Sequence, residues 1–414
     1  MAADLVLGPE IAVDEPWQPP TVGPRLILLT GATGFLGAYL LHDLLTQTAA
    51  SLVCLVRAAS PGEARGRIEE NLSRYGLTPT PAQWLRLEAY AGDLARPQLG
   101  LAEKVWTELA GRVDTVVHGA AAVNFYQAYR RLRAVNVGGV REILRFTVAG
   151  RTKALHYVSS TGVFDSEAYR GVTVSEADNP AHCHGSVMGY TQTKWVAEQL
   201  VLQSRVRGVP ASVYRPPFIM GDSRTGAVDA ENLVVKTLIG AIQGGCWPVD
   251  ALSTVEMIPV DALSRAIVHF IRNPAFHGRT FHLTSPRRMR WVDLGQAARD
   301  HGYPLDLTSY DEWLRRLLEF GRQPGNALRP LMRFYTKVTS RAGVPVPEIF
   351  VRQSPPVFES TVTQAALAEA GVAMPGMTPA LFSTYLDYFV RAGWLPAPPK
   401  TSPGNSRPPC AVLT

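Results

Sequence analysis

Residues 25–47 read RLILLTGATGFLGAYLLHDLLTQ, and this stretch decides the fold. LILLT is an apolar run of strand length. The glycines after it break the strand, and FLGAYLLHDLLTQ carries apolar residues at helical spacing. Thr30-Gly31-Ala32-Thr33-Gly34-Phe35-Leu36-Gly37 therefore reads as a strand-to-helix turn. Its glycines meet three needs: a sharp turn, close approach of backbone to a pyrophosphate, and tight packing of helix on strand. The first N–H groups of the helix then face the phosphates. An ordinary glycine-rich turn lacks this context of strand before and helix after. The stretch predicts dinucleotide binding.

Working outward, further apolar runs follow at regular intervals. SLVCLVRA (51–58), LEAYAGDL (87–94), VDTVVHGAA (113–121), ALHYVSS (154–160) and ASVYRPPFIMG (211–221) read as strands. Helical spacing fills 101–110, 132–149 and 189–206. Such alternation predicts an α/β fold with a Rossmann-type doubly wound parallel sheet. After Gly221 the alternation turns irregular. VEMIPVDALSRAIVHFI (255–271) reads as a return to the sheet and a helix, and RTFHLTS (279–285) as a last strand. Residues 291–395 are mainly helical in pattern. The expected division is a linker over 1–24, a cofactor domain over 25–221 and about 251–285, and a smaller, mainly helical C-terminal substrate domain. The last takes 222–250 and 286–398. The Pro- and Ser-rich end, 399–414, is expected to be a disordered tail.

Composition narrows the function classes. The chain has 414 residues, 46% of them hydrophobic and 18% charged, which suits a large packed core. The N-terminus carries early acids and no basic-then-apolar signal pattern. No apolar run reaches membrane-spanning length. Cys54, Cys183, Cys246 and Cys410 are far apart with no CxxC pairing, and read as reduced cytoplasmic thiols. The net charge is +6, yet its basic residues are scattered without interleaved aromatics, so neither nucleic acid nor membrane is expected as a partner.

The end of the second strand bears on cofactor choice. An acid there would hold the adenine ribose hydroxyls. This chain has Arg57 instead, with Arg67 shortly after, and no Asp or Glu between Asp43 and Glu63. A guanidinium pairs with a 2′-phosphate, so NADPH is expected. Asp93 in GDL suits the adenine amine. Tyr190-Thr191-Gln192-Thr193-Lys194 sets Tyr190 and Lys194 on one helix face. A lysine cation beside the phenol would lower its pKa toward the working range and let it protonate a nascent oxyanion. Ser160 would bind the same oxygen, with Thr161 its rival.

TGATGFLG, GDL, HGAA, VSSTGVF and YTQTK together resemble an extended short-chain dehydrogenase/reductase. CLVRA with Arg67, HGAAAVN (118–124), YRPPFIMGDSRTG (214–226) and LDYFVRAGWLPAP (386–398) carry a narrower resemblance. It is to the thioester reductase domains of nonribosomal peptide synthetases and carboxylic acid reductases. The family usually has Thr where this chain has Ser160. The resemblance implies cofactor contacts from Thr30, Gly31, Thr33, Gly34, Phe35, Leu36 and Gly37, and from Arg57, Arg67, Asp93 and Leu94. It adds Ala120, Ala121, Asn136, Tyr190, Lys194 and Pro216. It also implies an acyl or peptidyl thioester on the phosphopantetheine arm of a carrier protein, reduced to an aldehyde, with a further reduction to an alcohol left open. Carrier proteins are generally acidic, and a basic reductase attracts them. A monomer is expected, since a carrier-borne substrate needs an open cleft, and excision from a larger synthetase fits the linker-like start.

Rival readings share parts of this pattern. An epimerase or dehydratase of sugar nucleotides, or an acyl-CoA reductase, would keep the glycines and YxxxK. An epimerase would carry an acid in place of Arg57. A redox-inactive cofactor-binding protein or a cyclase would lose Tyr190 or Lys194, and both are present. His182-Cys183-His184 lacks further ligands, so no metal is expected. His118 reads as a strand-end residue near the cofactor, and Trp247 and Trp394 as packing residues. Cys410 stands fifth from the end and does not fit a prenylation box.

Overall fold

The computed structural model describes all residues except 14–16, 19–22, 184–185, 187, 251–253, 286, 337, 339–344, 346, 349–354 and 400–414. The expected disordered tail apart from Pro399, together with His184 and Cys410, thus lies outside the described residues. The strands run in chain order as β1 (Leu26–Thr30), β2 (Ser51–Val56), β3 (Leu87–Ala91), β4 (Thr115–His118), β5 (Ala154–Val158) and β6 (Thr173–Val174). There follow β7 (Ala211–Arg215), β8 (Phe218–Met220), β9 (Cys246–Pro248), β10 (Thr254–Val255), β11 (Met257–Pro259) and β12 (Thr280–His282).

Seven of these form one sheet in the order β12-β7-β5-β4-β1-β2-β3. Every pairing in it is parallel. Parallel strands covered on both faces are apolar almost throughout, and β1, β2, β4 and β5 are buried along nearly their whole length. One face packs the helices Phe35–Gln47 and Val260–Arg272, with Leu40, Leu44, Ile267 and Phe270 fully buried. The other packs Gly139–Val148 and Gly189–Val206, through Ile143, Leu144, Val196 and Leu200. The order reverses between β1 and β4, where Thr30 stands opposite His118. In such sheets the crevice beyond the strand ends at this reversal takes the ligand.

Several sequence expectations are corrected. ASVYRPPFIMG is not one strand. Pro216 and Pro217 lack the N–H a ladder needs, so the chain leaves the large sheet after Arg215 and resumes as β8. The 255–271 segment accordingly does not return to that sheet: β11 pairs in parallel with β8 in a separate ribbon. β12 closes the edge of the large sheet against β7, but RTFHLTS is not the last strand of the chain: short strands follow at Met289–Arg290, Asp306–Thr308 and Val357–Phe358, each in a separate two-stranded ribbon. The start of the chain is also more than a linker. Leu7 and Ile11 are buried against the sheet's second face. The buried Asp4 carboxylate accepts from Tyr129 Oη at 2.8 Å and Arg133 Nε at 2.7 Å. Arg141 donates to the Asp4 carbonyl at 2.7 Å, which pins the first turn to the sheet's helices.

Beyond β8 the chain builds a second lobe with the helices Leu233–Gln243, Trp291–Asp300, Tyr310–Phe320 and Pro379–Arg391, whereas Thr361–Glu369, expected in that lobe, packs Ala366 and Leu367 into the core on the first face of the large sheet. Trp247, Phe382, Tyr385 and Phe389 form its core. Trp247 stacks on Trp291 at 5.0 Å and donates Nε1–H to the Trp291 carbonyl at 2.9 Å. Trp394 packs on Phe389 at 5.8 Å. Among the described residues no helix is long and apolar enough to cross a membrane.

Candidate active site

A cavity of about 840 Å³ opens along the carboxyl ends of the sheet strands and under the second lobe. Gly31 leaves β1 with φ +89°, a left-handed conformation natural to glycine. A Cβ there would come within 2.8 Å of the Ala120 nitrogen. At Gly37 a Cβ would lie 1.8 Å from the Gly31 carbonyl oxygen, so only glycine lets the helix sit this close. Gly34 caps the Phe35–Gln47 helix, whose free N–H groups face the cavity. This cradle, which side chains would fill, fits a dinucleotide pyrophosphate.

Most residues expected at the cofactor line this cavity. Gly31, Thr33, Gly34, Phe35, Leu36 and Gly37 form its floor, with Arg57, Arg67, Asp93 and Leu94 at one end. Ala120, Ala121, Pro216, Ser160, Tyr190 and Lys194 line it toward the second lobe. Arg67 donates Nη1–H to the Arg57 carbonyl and so braces the strand end that carries the exposed Arg57 side chain. The Asp93 carboxylate accepts from the Ala95 N–H at 2.9 Å.

Two residues serve from behind. Thr30 Oγ1 lies 2.7 Å from His118 Nδ1 and accepts from the Ala120 N–H at 3.3 Å, joining the ends of β1 and β4. Asn136 sits in a π-turn over Ala134–Gly138, and neither it nor Thr30 lines the cavity. Its Oδ1 accepts from the Ala122 N–H at 2.8 Å. Its Nδ2 donates to the Ala122 carbonyl at 3.1 Å and to Thr193 Oγ1 at 2.9 Å. All its polar atoms are spent holding the 119–124 loop against the Tyr190 helix. Burial drives the His118 pKa down to about 3, which keeps the imidazole neutral.

The proton-transfer residues show one reversal of expectation. Burial pushes the Tyr190 phenol up to about 12, and Lys194 Nζ is committed to the Val158 carbonyl at 2.6 Å. The ammonium also lies 4.3 Å from the Tyr157 ring centre. Burial lowers Lys194 to about 7. A phenol that holds its proton at neutral pH is suited to give it to a developing oxyanion. Ser160 Oγ accepts from the Gly162 N–H at 3.1 Å, which caps a short helical turn and leaves the hydroxyl hydrogen to donate elsewhere. Thr161 lines the same wall.

Several residues in or behind the cavity wall carried no sequence signal. Asn71, on the Pro61–Arg74 helix, donates to the Ala32 and Gly34 carbonyls at 3.0 Å each and holds the glycine turn. Phe125 meets the Tyr190 ring edge-on at 5.6 Å. Asp165, raised to about 7 by burial, lines the wall beside Thr191. On the second-lobe side, Arg288 Nε stands 2.6 Å from the Glu256 carboxylate, and burial raises Glu256 to about 7. These come from loops and distant segments, so no spacing in the chain announces them.

Fold and site together define a nicotinamide-dependent oxidoreductase of the extended short-chain kind. A family model described as Male sterility protein, an NAD-binding family, matches residues 29–267. The chain belongs to that family. Among solved structures it is similar to the terminal R domain from the myxalamid PKS-NRPS biosynthetic pathway. The identity is 38% and the TM-score 0.86, over 96% of this chain and 98% of that one. It is 36% identical over 396 residues to a linear gramicidin synthase polypeptide of Brevibacillus parabrevis, covering 95% of this chain. It is 33% identical over 394 residues, 90% of this chain, to the L-2-aminoadipate reductase large subunit of Penicillium chrysogenum. The chain spans 8% and 28% of the length of these two relatives.

Proposed function

We propose that this chain uses NADPH to release an acyl or peptidyl thioester reductively from the phosphopantetheine arm of a carrier protein. The observation that carries the reading is end-to-end likeness to an R domain, second lobe included, around a cavity that holds Ser160, Tyr190 and Lys194 together. When bound, the nicotinamide supplies a hydride to the thioester carbon. Tyr190 Oη and Ser160 Oγ donate to the carbonyl oxygen as it becomes negative, with Thr161 the alternative hydroxyl. Collapse of the hemithioacetal frees the thiol and leaves an aldehyde, which the same residues could carry to an alcohol in a second round. Lys194 holds the nicotinamide ribose beside Tyr190.

Arg57 and Arg67 support NADPH over NADH. Both line the adenine end of the cavity, and a guanidinium there favours a 2′-phosphate. In this reading the second lobe, 222–250 and 286–398, receives the acyl chain and the carrier. The enzyme works as a cytoplasmic monomer, and its +6 charge draws in an acidic carrier. The test is a purified protein with NADPH and an acyl thioester of a pantetheine mimic. Tyr190→Phe is expected to lower kcat by about 100- to 10,000-fold, the range for a lost general acid. A Tyr190→Phe variant as active as the parent removes the proton-transfer role.

A further inference from the structure

Behind the hydride-transfer residues lies a buried ionic chain that the reaction as described does not use. Glu198 stands one helical turn after Lys194. Its Oε1 accepts from Arg215 Nη2 at 2.7 Å and Nε at 3.0 Å. Its Oε2 accepts from the hydroxyl of Ser159, the neighbour of Ser160. Both charged side chains are almost completely inaccessible, at 1% for Arg215 and 0% for Glu198. Arg215 donates onward to the Asp178 carbonyl at 3.0 Å and lies 3.0 Å from His282 Nε2. His282 Nδ1 is 2.7 Å from the Glu359 carbonyl, so the proton belongs on Nδ1 and Nε2 accepts from Arg215.

A pair this deep is expensive to desolvate, and apolar side chains of the same volume would join helix to strand as well. We propose that Glu198 is a positioning residue for the hydride-transfer site: it supplies the counter-charge for Lys194 and fixes the Ser159–Ser160 turn from behind. The groups facing Lys194 support this. Tyr190 lies on its own helix, Tyr157 on β5 and His118 on β4, and none brings a negative charge at neutral pH. The Val158 carbonyl offers only a dipole. Burial depresses Lys194 to about 7, and the Glu198 carboxylate is the charge that opposes the fall. Arg215 holds that carboxylate in place with two charge-assisted hydrogen bonds.

The inference rests on the reading of Tyr190 and Lys194 as the proton-transfer pair, so its test does not depend on turnover alone. The primary readout is the titration of Lys194 in the whole protein, followed by NMR of isotope-labelled lysine ε-methylenes and assigned by its loss in Lys194→Met. Glu198→Gln removes a negative neighbour, so the cation is less favoured and the midpoint falls by about one pH unit. The alkaline limb of the reductase pH profile moves the same way, to lower pH. Glu198→Asp keeps the charge at longer reach and lowers the midpoint less. Because the glutamine variant strands the Arg215 cation, which itself repels the Lys194 ammonium, Glu198→Gln with Arg215→Met is measured beside it, and a smaller fall in the same direction is expected. An unchanged or raised Lys194 midpoint in any of these variants overturns the proposal and leaves Glu198 as a tie between helix and strand. If the midpoint falls while the wild-type protein reduces no thioester, the substrate reading fails and the positioning role stands.

Discussion

The two ends of the cavity are built by different means. The cofactor end is made of backbone: a glycine turn, a helix N-terminus and the reversal of strand order between β1 and β4. The second-lobe end is made of side chains from far apart in the chain, such as Phe125, Asp165, Glu256 and Arg288. Backbone constraints admit few residues, so they leave motifs. Side-chain walls admit many, so they leave none. The cofactor end should therefore break under small steric changes, and the other end should shift in specificity while binding of the cofactor survives.

The largest effect is expected at Gly37. A methyl there meets the Gly31 carbonyl at 1.8 Å, and neither backbone can yield cheaply. Gly37→Ala should abolish measurable NADPH binding by calorimetry and cost about 1–3 kcal/mol of stability by denaturant unfolding. Retained binding would show that the helix does not need its close approach. Next comes Arg57→Asp. Loss of a charge-assisted pair and addition of a repulsive acid should weaken NADPH by about 10- to 100-fold. NADH should change little, and an equal loss for both cofactors would remove Arg57 from cofactor choice.

At the other end, Glu256→Gln and Arg288→Met should raise KM for an acyl thioester by about 3- to 10-fold, the range of one or two lost polar contacts. The Kd for NADPH should stay put. A matching loss in cofactor affinity would mean that the two ends are not separable. The smallest effect lies outside the cavity, at the docked N-terminus. The Arg133 guanidinium, first among several partners, holds Asp4 down at about 2. A depressed carboxylate stabilises the fold above its ordinary value of 3.8, and that stability is lost as pH falls through about 2. The Tm difference between wild type and Asp4→Ala should be constant above pH 4 and shrink below it. A difference that persists at pH 2 would place the effect in packing of Leu7 and Ile11 instead.

The same contrast explains how much the sequence disclosed. The parallel sheet was legible because buried parallel strands must be apolar throughout, as LILLT and SLVCLV are. Gly31, Gly34, Gly37, Tyr190 and Lys194 were legible because geometry fixes their spacing. Thr30 and Asn136 were found by motif, and both hold the loop before Asn124, a structural role that the sequence already offered for Asn136 beside a direct one. Burial raises the Tyr190 phenol against the lowering expected from Lys194, and burial cannot be read from an i,i+4 pair. The Pro216–Pro217 break was visible, yet its consequence depended on β11, some forty residues on. Asn71 and the Glu256–Arg288 pair required the fold itself.

The central claim is that one cavity joins an NADPH site to a thioester-reducing centre. The most direct measurement follows loss of NADPH absorbance as folded protein meets an acyl thioester on a pantetheine mimic, with the released thiol and aldehyde identified. Stoichiometric NADPH oxidation and thiol release are expected, with poor use of NADH and near-complete loss in Tyr190→Phe. Protein that binds NADPH yet oxidises none of it with either the thioester or the matching aldehyde would contradict the account.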